Sequence, residues 1–157
     1  MPYGGSGARI GSHPVHPMLV PFPIASLVGA LVSDIIFVGS RAPFWSTAAY
    51  WLIAAALVMG ALAAIAGLID FVTQQPIRTI PDAWYHLYGN VAAMVLAAVN
   101  FWLRHSLGSA EAVLPWGIVL SAIVAGILLY TGWLGGELVF RHQCGMIEEA
   151  PAKKAGK

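Results

Sequence analysis

Long apolar runs alternate with short polar breaks along this chain. Four runs, at about residues 18–39, 48–72, 84–103 and 113–140, are long enough to cross a membrane as helices. A helix rising 1.5 Å per residue needs about 20 apolar residues to span about 30 Å of hydrocarbon. The breaks hold helix-ending residues: Arg41-Ala42-Pro43, Gln75-Pro76, Ile80-Pro81-Asp82, and the segment from Gly108 to Glu111. Thr79 or Asp82 is placed to cap the third helix.

The few polar residues inside the runs are not scattered. At about 100° per residue, His86, Gly89, Asn90, Ala93, Ala97 and Asn100 share one face of the third run. Tyr88, Val91, Val95, Val99 and Trp102 share the opposite face. The small, polar face should point into a helix bundle and the bulky face into lipid, since small residues let membrane helices approach closely. In the second run, Asp70 shares a face with Ala56, Ala63, Ala66 and Gly67. In the fourth, Glu137 and Arg141 are four apart and can pair.

Composition turns this pattern into a class. Hydrophobic residues make up 59% of the chain and charged residues 10%, with mean hydropathy +0.76. A soluble domain carries about 25% charge, so these charges cannot coat a water-facing surface. The expected fold is all-α: an integral membrane four-helix antiparallel bundle over residues 1–147, with a disordered polar tail at 148–157. A net charge of +1 without a basic stripe argues against nucleic acid as a partner. Cys144, alone, forms no internal disulfide. The opening MPYGGSGARIGSHP lacks the apolar core of a signal peptide. Arg9, Arg78, Arg141, Lys153, Lys154 and Lys157 fall on one side of the bundle and Arg41 and Arg104 on the other. Both termini should then be cytoplasmic. The tryptophans lie mostly near span ends, as interfacial anchors do.

This topology puts His13, His16, Asp70, His86, Asn90, Glu137, Arg141 and His142 in one layer near the cytoplasmic face. The far layer holds Asp34, Asn100, Arg104 and His105. Ionised groups within hydrocarbon cost at least about 2.5 kcal/mol, so each layer must pair its members. Asp34 and Asn100 read as a structural polar pair and His105 as a solvated side chain. Cys144 reads as an inert or lipid-modifiable thiol. In HPVHP each histidine precedes a proline, which disfavours helix there. A polyproline-like strap would put the two imidazoles on one side, about 9 Å apart at about 3.1 Å per residue.

Several chemistries fit the histidine layer. The histidines and Arg141 can simply hydrogen-bond Asp70 and Glu137 and lock the helix ends, as in a scaffold or accessory subunit. A b-type haem could be held by His86 with His16, or His86 with His142, and Arg141 could pair a propionate. A zinc, iron or copper ion could draw on His13, His16, His86 and His142 with Asp70 or Glu137. Transport would need a pathway that four short spans provide only as a homo-oligomer.

HPVHPMLVPFPIA, GLIDF around Asp70, His86 with Asn90, and GGELVFRHQCGM together resemble a family of small bacterial membrane proteins. It is catalogued as domain of unknown function 2231, and the resemblance covers about residues 12–147. It implies a four-helix inner-membrane protein. Some relatives are fused to, or encoded near, Rieske-type iron–sulfur domains, which implies a redox partner of Rieske or cytochrome type. The family pattern after the last arginine is usually His-Gly. Here it is His142-Gln143-Cys144-Gly145, so a role carries over less directly to His142 than to His86. The resemblance supplies no catalytic residues.

Overall fold

The computed structural model describes residues 6–145. A two-stranded antiparallel hairpin opens it, β1 (Arg9–Ile10) and β2 (His13–Pro14), turning at Gly11 with φ +62°. A single turn, α1 (Val15–Leu19), runs through Val20 in helical conformation into α2 (Pro21–Ser40). Then come α3 (Pro43–Thr73), a 3-10 turn at Gln75–Thr79, α4 (Pro81–Leu107), a π turn at Val113–Gly117 and α5 (Ile118–Phe140). Four segments are long and apolar enough to cross a membrane: Val15–Ser40, Pro43–Thr73, Pro81–Leu107 and Val113–Phe140. They match the four runs in the sequence, with earlier starts for the first three. Pro43 and Pro81 explain two of these: proline is preorganised for the first helical position, where its missing N–H costs nothing. The third span is not capped by Thr79 or Asp82. Its N-cap is Ile80 without a side-chain bond, and Asp82 lies in the first turn, where a carboxylate suits the helix dipole. The tail at 148–157 lies outside the described residues.

In the bundle, α2 packs chiefly on α3 and α4 on α5, with α2–α5 and α3–α4 contacts closing the ring. Its core is built from Ala30, Ala49, Ala56, Ala93 and Ala97 with Leu27, Ile53, Val124 and Leu128. Lipid offers no hydrophobic drive between helices, so the alanines serve close backbone approach. The expected phase of the third span is borne out. Ala93, Ala97 and Asn100 are buried, while Tyr88, Val91, Val95, Val99 and Trp102 are exposed. In α3, Ala56, Ala63 and Ala66 face inward as expected.

The opening strap departs from expectation. His13 is in a strand, but His16 is in the first turn of α1 despite the following Pro17. First-turn N–H groups have no helical partner anyway, and a hydrogen bond from the His16 ring to α3 holds the turn in place. The two imidazoles therefore do not share one side of a polyproline strap.

Candidate functional site

Two histidines meet at the mouth of the bundle. His16 reaches from α1 and His86 from the second turn of α4, and their ring centroids are 6.3 Å apart with planes at 86°. Each ring is fixed by a different span. His16 Nδ1 lies 2.8 Å from the Ala63 carbonyl of α3, and His86 Nδ1 lies 2.9 Å from the Thr131 carbonyl of α5. A carbonyl oxygen only accepts, so both Nδ1 atoms carry the proton, and in the neutral ring Nε2 keeps its lone pair. Neither Nε2 has a hydrogen-bond partner among the described residues.

Glycines make room for both rings. A Cβ on Gly67 of α3 would come within 2.9 Å of the His16 ring, and one on Gly135 of α5 within 3.2 Å of His86. The His86 turn is braced from behind. Asn90 Nδ2 donates to the His86 carbonyl at 2.7 Å, and Thr131 Oγ1 donates to Asn90 Oδ1 at 3.4 Å.

The other expected members of the layer are engaged elsewhere. Asp70 Oδ1 accepts from Ser6 Oγ at 2.7 Å and from the Ala8 N–H at 2.9 Å. Val15 N–H then donates to Ala8 O at 2.9 Å. Asp70 thus latches the hairpin that leads into His16. His13 is exposed, with its Nδ1 3.4 Å from Ser12 Oγ. His142 Nε2 lies 3.5 Å from Asp82 Oδ2, at the start of α4. Arg141 and Glu137 form the expected i,i+4 pair, at 3.5 Å, with Arg141 largely in solvent. So the structure joins His16 to His86 but does not gather His13, His142, Asp70 or Glu137 around them. Among the described residues no group of three or more His, Cys, Asp or Glu side chains is arranged to hold a metal ion. Two grooves lie nearby, about 460 Å³ between strap and α3 and about 340 Å³ on α5 beside Gly132, Gly136 and Glu137. Neither is lined by an imidazole of the pair.

At the opposite end is a second polar cluster that the sequence reading only half found. Arg104 Nη2 donates to both oxygens of Asp34, at 2.9 and 2.7 Å, and its Nε donates to Asn100 Oδ1 at 2.9 Å. Ser121 Oγ donates to Asp34 at 2.7 Å, and Asn100 Nδ2 donates to Ser121 Oγ and to the Gly117 carbonyl. Asp34 and Arg104 side chains have no exposed surface. The expected Asp34–Asn100 pair is thus bridged by Arg104 and Ser121. The signal was local: Asn100 and Arg104 are four apart on one helix face. His105, expected to be only solvated, meets the Tyr50 hydroxyl at 3.2 Å and stacks on Phe101.

Four apolar spans around two buried or half-buried polar clusters define a multi-pass helical membrane protein. Residues 12–148 match the sequence profile of domain of unknown function 2231, described as a predicted membrane protein, and the chain belongs to that family. No curated protein and no solved structure matches it.

Proposed function

We propose that this protein is a small b-type haem carrier of a bacterial inner membrane, in which His16 and His86 would hold the iron. The observation that carries the reading is the pair's geometry. The two imidazoles come from different segments and meet at the bundle mouth with ring centroids 6.3 Å apart. The Nδ1–H bonds to Ala63 and Thr131 carbonyls are the second interaction that metal-bound histidines ordinarily make, and they leave Nε2 for the iron. A haem so held supplies one-electron chemistry between ferric and ferrous iron.

This chain's own residues would do the rest. The Ala63 and Thr131 carbonyls orient the rings. Gly67 and Gly135 keep side chains off them. Asp70 holds the strap that delivers His16. Since neither groove is lined by an imidazole, room for the macrocycle has to come from side chains parting at the bundle mouth. Electrons would pass to or from a Rieske-type or cytochrome partner, and cytoplasmic termini would place the pair near that face.

A second reading has its own support. The same Nδ1–H bonds tie α1 to α3 and α4 to α5, which is what structural histidines in a scaffold would do. An absorption spectrum of full-length protein in mild detergent, from haem-supplied cells, separates the two. The expected result is a Soret band with sharp α and β bands on reduction, lost in His16→Ala and in His86→Ala but kept in His13→Ala and His142→Ala. A colourless wild type leaves the scaffold.

A further inference from the structure

We infer that the groove between the N-terminal strap and α3 is a binding site for one anionic phospholipid. Its walls come from two sources. Val15, Leu19 and the backbone around Gly7 and Ala8 form one side; Leu62, Ile65 and Ile69 of α3 form the other, with Ala66 as the floor. The three α3 side chains are at exposed positions of the span, facing where lipid must be, while Ala63 beside them turns into the bundle. Residues 62 to 69 extend about 10 Å along the helix, the length of the upper part of an acyl chain. The groove is open along its length and holds about 460 Å³, a shape suited to a flexible chain entering sideways from the bilayer.

Charge selects the headgroup. Arg9 lines the strap end of the groove, is exposed, and forms no ion pair among the described residues. Asp70, the acidic group of the strap latch, already accepts from Ser6 and Ala8. Next to Arg9, Ile10 presents an apolar side chain 71% exposed at the hairpin turn. An arginine beside an exposed isoleucine, above an apolar groove, matches the headgroup–acyl boundary of a lipid. A guanidinium binds phosphate with paired, charge-assisted hydrogen bonds, and net negative charge on the lipid favours it over a zwitterion. The inference does not depend on what His16 and His86 hold.

The test uses the full chain reconstituted in vesicles of equal phosphatidylglycerol and phosphatidylcholine, then released into native mass spectrometry. Wild type should retain one phosphatidylglycerol in preference to phosphatidylcholine. Arg9→Gln should cut that retention about fivefold without changing the neutral lipid. Ile65→Trp, which fills the groove from the lipid-facing side of α3, should cut both. Equal retention of the two lipids by wild type, unchanged retention in both variants, or a lipid-free dimer covering the groove would each overturn the assignment.

Discussion

The two polar clusters sit at opposite ends of one bundle and are finished to different degrees. The Asp34–Arg104–Asn100–Ser121 cluster is closed. It has no exposed surface at its ion pair, it ties α2, α4 and α5 together, and among the described residues only Arg104 Nη1 lacks a partner. The His16–His86 pair is half open. Each ring spends one nitrogen on a neighbouring span and, among the described residues, keeps the other unbonded. Charges in hydrocarbon survive when every lone pair and proton is matched. A cluster that matches all but one of them within itself, Arg104 Nη1 being the exception, has little left for a ligand. One that fixes its rings and leaves their basic nitrogens unbonded retains chemistry.

That contrast can be broken from either end. The largest effect should come from Arg104→Met, which strands Asp34 in the bundle. Removing one partner of a buried pair costs about 3–5 kcal/mol, read as a lower midpoint in detergent unfolding. Asp34→Leu combined with Arg104→Met should recover much of the loss, as expected of a purely structural pair. At the other end, His86→Ala should destabilise by about 1–2 kcal/mol through the lost tie to Thr131 and abolish any haem spectrum. His105→Ala, at an exposed Tyr50 contact, should do neither; equal effects would erase the distinction between the ends. Next comes Asp70→Asn. With the latch weakened, protease cleavage in the hairpin should speed up several-fold while the midpoint of the whole bundle moves by less than about 1.5 kcal/mol. The smallest effect concerns Cys144, just past α5. Burial raises its thiol pKa above the ordinary value, so less thiolate forms near neutrality. Alkylation should be slower than for a free thiol, and its rise with pH should be displaced upward.

The spans and their faces were legible because lipid enforces one rule over many residues. Val91, Val95 and Val99 repeat outward while Ala93 and Ala97 repeat inward, and the error of any single residue averages out. The pairings were less legible because each depends on one contact between distant segments. Arg104 looks like a positive anchor at a span end until Asp34, 70 residues earlier, is seen opposite it. His16 looks extended because the rule for residues before proline is local, whereas the bond to Ala63 is not. The depth estimate put His16 and His86 in the same layer, which was right. It could not say that Asp70 turns to Ser6 and His142 to Asp82, since depth carries no direction around the bundle.

The strap latch also imposes an order of events during synthesis. Ser6 and Ala8 are 64 and 62 residues from Asp70, and His16 is 47 from Ala63. The segment made first therefore has nothing to close onto until the second span has emerged and inserted. His86 follows still later, and its own tie to Thr131 waits for the fourth span. With chains growing at about 5–20 residues per second, His16 spends seconds without its Ala63 partner. The imidazole pair is completed last, by the final helix, so only a fully inserted chain presents it.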